Sequence, residues 1–267
     1  MLDKVIVITG ASSGIGAALA EEVVRRGARG VVLAARRADP LAALAERLGP
    51  SALAVATDVT ARADLDALRD RTLAHFGQLD VLVNNAGRGI SQVVSALTDE
   101  DIDEMTRVNV KSVVYGVQAV LPHFKAQKRG HILTISSGLS RLPLAASRSA
   151  YAASKAAVNL LMGSLRMELR DAFPDIHCTT VMPGVVATDF GVNVRHGGVD
   201  SRKLPGAQPV EEVARVIADA IERPVAECYT RPEMRDLVAR YFAAEDVDAL
   251  ERKPPFFSLA ALPPKAT

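Results

Sequence analysis

Charge of one sign is missing from this sequence. Its 267 residues carry 32 basic and 31 acidic side chains, a formal net charge of +1. No field of one sign is therefore expected, and nucleic acid is set aside as a partner. Cysteine is scarce: Cys178 and Cys228 stand alone, at no metal-ligand spacing. That usage fits a reduced compartment and thiols in or near the core. The five histidines make no His-Glu-x-x-His or His-x-x-x-His arrangement. His75, His123 and His131 fall near element ends, where a cap or surface role suffices, and no metal site is expected. Long hydrophobic runs are absent too. Nothing approaches the ~20 apolar residues of a membrane span, and the apolar run near Met1 is too short for a signal peptide. Internal repeats and linkers of domain-boundary character are lacking. The expectation is a soluble, cytoplasmic chain without a membrane or nucleic-acid partner.

What the sequence does have is apolar content, 49% hydrophobic against 24% charged residues, enough for a sizeable core in one α/β unit. Short apolar runs alternate with helical patterns. Val5–Thr9 is continuous and apolar, as a strand buried on both faces should be. Gly30–Ala35, 52–57, 79–83, 131–135 and Ile176–Met182 repeat the pattern, and 225–230 reads as a short edge strand. Helical periodicity follows Gly16 as far as the stop at Gly27, and fills 65–76 and Val210–Glu222, with a last helix near 234–244. A single long helix is expected over 99–127, with Thr98 as N-cap and acids in its first turn. The fold class expected is α/β, a doubly wound, mainly parallel seven-stranded sheet with helices on both faces in one domain. Residues 1–245 form the catalytic domain in this reading. Within it 189–208, mixing Gly and charge with few apolar anchors, is a lid. Residues 246–267 are a Pro-rich tail.

The first strand runs into Gly10-Ala11-Ser12-Ser13-Gly14-Ile15-Gly16. Strand, glycine-rich turn and helix together place backbone N–H groups where a phosphate is received. Ser12 and Ser13 add hydroxyl donors. The spacing is Gly-x-x-x-Gly-x-Gly, and an ordinary turn with glycines for tight packing is the plain alternative. The second strand ends at Arg36-Arg37, without the carboxylate that commonly meets an adenosine ribose. Two guanidiniums there suit a 2′-phosphate, and Arg is poorly placed at a helix N-terminus for any other reason. NADP(H) is accordingly preferred over NAD(H). Asp58, with Val59 beside it, either reaches an adenine amino group or caps the next turn. Asn84-Asn85-Ala86-Gly87 ends the fourth strand and, alone, is an ordinary turn.

Tyr151 and Lys155 are four apart in an Ala-rich helical stretch and so share a face. An ammonium beside a phenol lowers its pKa from the unperturbed ~10, which fits it for acid–base work near neutral pH. The pair by itself is equally the surface of an ordinary helix. Asn109, on the apolar side of its helix, must find partners if buried.

Taken together and in order, these motifs resemble the short-chain dehydrogenases/reductases in their single-domain form, from Lys4 to about Ala244. The resemblance implies the glycine motif at 9–16, the fourth-strand turn at Asn85, Ala86 and Gly87, and a tetrad of Asn109, Ser137, Tyr151 and Lys155. Pro183, Gly184, Val186 and Thr188 fall where the family holds the nicotinamide end. One departure stands out: Ser137 precedes Tyr151 by fourteen residues, one more than a common family spacing. Ser136 is the second choice for the serine.

The resemblance implies hydride transfer between a nicotinamide and a carbonyl or alcohol carbon. Tyr151 is then the general acid or base, Ser137 holds the substrate oxygen, and Lys155 holds the ribose hydroxyls and lowers the Tyr pKa. Asn109 holds a water that links Lys155 to solvent. Ile90, Leu139, Leu142, Leu144 and Phe190 suggest an apolar small-molecule substrate, although all of them fit a core equally well. Assembly as a dimer or tetramer through helices near 105–127 and 150–169 is also implied. The rival readings are a nucleotide-binding sensor with little turnover, and a sugar epimerase or dehydratase, for which the chain after Thr188 is too short.

Overall fold

Every residue of Val5–Thr9 (β1) is buried, and its side chains alternate between two separate apolar layers. Ile6 and Ile8 face one layer, Val5 and Val7 the other, which is the period of two that a strand imposes. The computed structural model describes residue 1 and residues 3–256. After β1 the chain follows α1 (Gly14–Arg25), β2 (Gly30–Ala35), α2 (Ala38–Leu48), β3 (Ala52–Ala56), α3 (Arg62–Phe76) and β4 (Val81–Asn84). Then come α4 (Asp99–Met105), α5 (Ser112–Gln127), β5 (Gly130–Ile135), α6 (Ser149–Leu169), β6 (Ile176–Met182), α7 (Val210–Glu222), β7 (Glu227–Tyr229), α8 (Pro232–Phe242) and α9 (Val247–Glu251).

The strands form one seven-stranded sheet in the order β3-β2-β1-β4-β5-β6-β7, and every pair is parallel. Each crossover carries a helix back over a face, so both faces are covered. Leu19 and Val23 of α1, Leu41 and Leu44 of α2, and Val213, Ile217 and Ile221 of α7 close one side. Leu65 and Leu68 of α3, Val120 and Phe124 of α5, and Val158, Met162 and Leu165 of α6 close the other. The expected doubly wound architecture is the one observed, with the seventh strand at an edge.

Two local features go beyond the expected pattern. The expected helix runs unbroken over 99–127, but a widened, π-helical turn at Thr106–Lys111 lies within it, between α4 and α5. Asn109 lies within this turn, fully buried, and its amide finds polar partners in the Arg88 carbonyl and the Ser154 hydroxyl. The tail from 246 starts as a helix folded against α8, with the Tyr241 hydroxyl donating to Glu251 at 2.6 Å and the Tyr241 and Phe256 rings 5.7 Å apart. The tail's remainder, 257–267, lies outside the described residues.

Strand order reverses between β1 and β4. In an open parallel sheet such a switch point leaves a crevice beyond the carboxyl ends of the strands. The candidate motifs after β1, β2, β3, β4, β5 and β6 all emerge at that end.

Candidate active site

Thr9 closes β1 and ties the crevice together. Its hydroxyl donates to the Val83 carbonyl at 3.3 Å and accepts from the backbone N–H groups of Asn85 (3.0 Å) and Ala86 (3.1 Å). Asn85 answers with its side-chain amide, which donates to the carbonyls of Thr9 (2.8 Å) and Gly10 (3.3 Å). Asn85 therefore holds the glycine turn in shape. The approach is close: a Cβ at Gly16 would sit 2.5 Å from the Gly10 carbonyl and 2.6 Å from the Asn85 amide. At the start of α1, Ser13 makes no side-chain capping bond and the first turn contains no acid. The leading N–H groups and the Ser13 hydroxyl thus stay available, which is the donor set a diphosphate requires.

The ends of β2 and β3 stand beside this turn. Arg36 and Arg37 are exposed, and neither pairs with a carboxylate among the described residues. Arg37 donates to the Ser12 hydroxyl at 3.1 Å, which joins the basic pair to the glycine turn. Arg37 also occupies the N-cap position of α2, where a cation gains nothing from the helix itself. Asp58 accepts from the Thr60 backbone N–H (2.9 Å) and hydroxyl (2.8 Å) through one oxygen. Partial burial works to raise its pKa, but those hydrogen bonds, with Arg36 and Arg107 nearby, hold it below the ordinary value. Of the two roles considered for Asp58, the turn cap is thus occupied by one oxygen and the other oxygen is left over. Val59 packs on the α3 side of the core.

Beyond β4 and β5 lie the four residues of the expected tetrad. Asn109, with no exposed surface, donates to the Arg88 carbonyl and the Ser154 hydroxyl, each at 2.9 Å, and accepts from the Arg88 N–H at 2.9 Å. Both amide protons are engaged, which leaves one lone pair of Oδ1 for a water. A Cβ at Gly87 would lie 3.3 Å from Asn109 Oδ1 and 3.4 Å from Lys155 Nζ, so the two side chains converge there. Lys155 is buried and donates to the Ile135 carbonyl at 2.8 Å. Ser137 points into the crevice and accepts from the Leu139 N–H at 3.2 Å, whereas Ser136 points back and donates to the Lys155 carbonyl at 3.3 Å. Alternation at the strand end separates the two serines. A one-turn 3₁₀ segment at Gly138–Ser140 follows Ser137 on the way to Tyr151.

One electrostatic expectation reverses. Burial raises the Tyr151 phenol above its ordinary pKa, and the Ser137 hydroxyl and the Arg148 charge only oppose that rise. The Lys155 ammonium is aimed at the Ile135 carbonyl and lies 6.0 Å from the Tyr151 ring centroid. Burial brings Lys155 itself down to about 8.

After β6, Pro183 accepts from the Gly138 N–H at 2.8 Å, and the Val186 carbonyl accepts from the Thr188 N–H at 2.8 Å. Gly184 has open space where a Cβ would stand, and a Cβ at Gly14 would touch the Thr188 methyl at 3.5 Å. Thr188 therefore faces the start of α1 across the crevice. Of the apolar candidates, Ile90 and Leu142 are core residues, while Phe190 is 40% exposed and packs on Tyr151 at 5.6 Å between ring centroids.

Sequence reasoning missed a polar network beneath residues 189–208. Asp101 and Glu104 of α4 reach Arg195 and His196: Arg195 Nη1 lies 2.9 Å from Glu104 and also contacts Asp101, and His196 Nε2 is 2.8 Å from Asp101. The acids crowding the first turn of α4 were the visible signal. Ser154, one turn beyond Tyr151 on α6, and Arg148, the N-cap residue of that helix, were missed as well.

The chain has clear relatives. The family model for short chain dehydrogenases matches residues 4–198. An uncharacterized oxidoreductase of Listeria innocua is 37% identical over 232 residues, which cover 83% of this chain and 92% of the relative. A solved short chain dehydrogenase/reductase of Burkholderia phymatum, in complex with NAD, superposes with a TM-score of 0.84 at 29% identity, covering 97% and 98% of the two chains. An alcohol dehydrogenase of Thermococcus sibiricus, complexed with 5-hydroxy-NADP, gives 0.74 at 30% identity over 85% of this chain and 95% of that one.

Proposed function

Because the chain belongs to the short-chain dehydrogenase family of oxidoreductases, we propose that it transfers a hydride between NADP(H) and the carbonyl or secondary alcohol carbon of a small substrate. Tyr151 is the general acid or base in this reading. The observation that carries it is the convergence of Ser137, Tyr151, Lys155 and Asn109 at one strand end, beside a glycine turn that is already braced.

The residues present fit a dinucleotide. The uncapped start of α1 and the Ser12 and Ser13 hydroxyls suit its diphosphate. Arg36 and Arg37, unpaired with any carboxylate among the described residues, suit a 2′-phosphate and support NADP(H) over NAD(H). When bound, the nicotinamide gives or takes the hydride and, oxidised, adds a positive charge to the site. Ser137 then holds the substrate oxygen, and the Tyr151 hydroxyl gives it a proton in reduction, whereas the Tyr151 phenolate takes one in oxidation. Lys155 turns from the Ile135 carbonyl to the ribose hydroxyls, and Asn109 keeps the turn after β4 in place. Residues 189–208 act as a lid: Phe190 covers Tyr151, and Arg195 and His196 anchor the lid on α4.

Assembly with further copies through α5 and α6 is supported by Leu160 and Met167, which are 74% and 68% exposed on α6. The two free thiols support a reducing, cytoplasmic setting.

The test is NADPH oxidation against aldehydes, ketones and diketones, with NADH in parallel and Tyr151→Phe as control. Turnover that requires Tyr151 is expected. Tight NADPH binding without turnover on any carbonyl or alcohol would favour the sensor reading.

A further inference from the structure

We infer that Arg148 is a substrate-binding residue that receives a carboxylate, so that the substrate is a short hydroxy acid or its oxo acid. The inference rests on the reading of Tyr151 given above. Arg148 lies one turn before Tyr151, and its backbone is clipped to the segment after β4. Gln92 N–H donates to the Ser147 carbonyl at 2.7 Å, the Ser149 hydroxyl donates to the Gln92 carbonyl at 2.7 Å, and Gln92 and Arg148 form a parallel bridge. The side chain is thereby aimed into the space between Ile90, Tyr151 and the 189–208 segment.

The guanidinium is held there without a counter-ion. Its hydrogen bond to protein is one long contact from Nη1 to the Ile90 carbonyl, at 3.3 Å. Nη2 lies 3.3 Å from where a Cβ on Gly198 would stand, so the lid segment covers it. Three other arginines on this side of the crevice are neutralised: Arg88 and Arg195 by Glu104, at 2.8 and 2.9 Å, and Arg141 by Glu227. Arg36 and Arg37, unpaired with any carboxylate among the described residues, stand at the end of β2, beside the glycine turn. Arg148 pairs with no carboxylate among the described residues. The groups that face it are Tyr151, the neutral carbonyl of Ile90 and the backbone of the lid; the nearby acids Asp101 and Glu104 are taken by Arg195, His196 and Arg88.

Removing a cation from water without a partner is costly, and burial does work to discharge this one, while the Tyr151 phenol, when ionised, favours its charge. A planar fork with unused donors, partly covered and facing the acid–base residue, suits a planar anion that binds in two-point fashion. A single positive charge matches a monoanionic carboxylate; a phosphate dianion would leave a charge over. The Phe190 ring over Tyr151 gives the remaining carbon chain an apolar wall. In oxidation, the carbinol C–H yields its hydride to the oxidised nicotinamide and the hydroxyl proton goes to the phenolate of Tyr151, which becomes the phenol, leaving the oxo acid with its carboxylate unchanged.

The test uses lactate, 3-hydroxybutyrate and 4-hydroxybutyrate, each beside its methyl ester, on the full chain saturated with NADP+. Binding is read by calorimetry and turnover by NADPH absorbance. At least one acid should bind the wild type tenfold or more tighter than its ester. Arg148→Gln keeps a donor for Ile90 and removes the charge; it should raise Kd and KM for the acid thirtyfold or more and change those for the ester less than threefold. Arg148→Lys should restore part of the acid binding and guards against a folding defect. Equal losses on acid and ester would assign Arg148 to the lid or to Tyr151 and overturn the inference. So would a wild type that prefers no acid over its ester. Tyr151→Phe separates the two readings: it should abolish turnover and leave acid binding intact, and turnover that survives it counts against the Tyr151 mechanism alone.

Discussion

The amide of Asn109 donates to the Ser154 hydroxyl at 2.9 Å, binding the widened turn between α4 and α5 to the residue that precedes Lys155. Ser154 in turn donates to the Tyr151 carbonyl at 2.7 Å. One chain of hydrogen bonds thus runs from the Arg88 backbone through Asn109 to the backbone of the Tyr151 turn. Replacing Asn109 by Ala leaves the Arg88 N–H, the Arg88 carbonyl and the Ser154 hydroxyl short of partners in a dry place. At about 1–3 kcal/mol for each buried group left unsatisfied, a loss of roughly 3 kcal/mol is expected in urea unfolding. Ser154→Ala should cost about 1 kcal/mol.

Tyr151→Phe removes one hydroxyl from a buried ring and nothing from the packing. Its kcat should fall roughly 10²- to 10⁴-fold, the range for loss of a positioned acid–base group. NADPH affinity, read from cofactor fluorescence, should hold within about threefold, since the ring and its hydrophobic contacts remain.

Arg36→Ser is expected to raise the NADPH Kd by about 10- to 100-fold, equivalent to one charge-assisted contact of about 1.5–3 kcal/mol. NADH affinity should barely change. A parallel loss for both cofactors would indicate that Arg36 supports the loop and does not select the nucleotide.

Acid stability should depend on His131. It is buried on β5, where its Nε2 lies 2.8 Å from the Thr179 hydroxyl and Nδ1 has no partner, and burial pulls its pKa down from 6.5 to about 3. The unfolded chain therefore takes up a proton that the folded one refuses. Stability from this residue is present above pH ~6.5 and is lost as pH falls towards 3, by up to about 1.4 kcal/mol per pH unit. His131→Asn should flatten the denaturation profile over that interval, whatever it does to stability at pH 8.

Much of the architecture was legible because parallel strands buried on both faces, such as Val5–Thr9 and Gly30–Ala35, are bare apolar runs that end in Gly or Arg. Motifs at their ends then fell on the side where the crevice lies. The bulge at Thr106–Lys111 was hidden because a π turn inserts one residue's worth of backbone and leaves the apolar pattern on both flanks helical. The links from Arg195 and His196 to Asp101 join residues 94 and 95 positions apart, and no periodicity reports such a pairing. Tyr151 shows the limit from another side. Spacing put Lys155 one turn away, but the direction of its ammonium is decided by the Ile135 carbonyl, a partner on another strand.

The placement of β1 bears on how the chain comes into being. β1 is translated first yet stands in the sheet interior, with β2 on one side and β4 on the other. The Val5 N–H reaches Asp80 across 75 residues of chain. Until β4 has been made, a nascent chain therefore carries Ile6, Val7 and Ile8 on a strand with one open flank, a template for pairing with any other extended segment. Parallel pairings closed over such distances form slowly. Overproduction at high temperature should accordingly drive this protein into inclusion bodies through its first strand, and slower synthesis or chaperone capacity should rescue it, without any change to the finished fold.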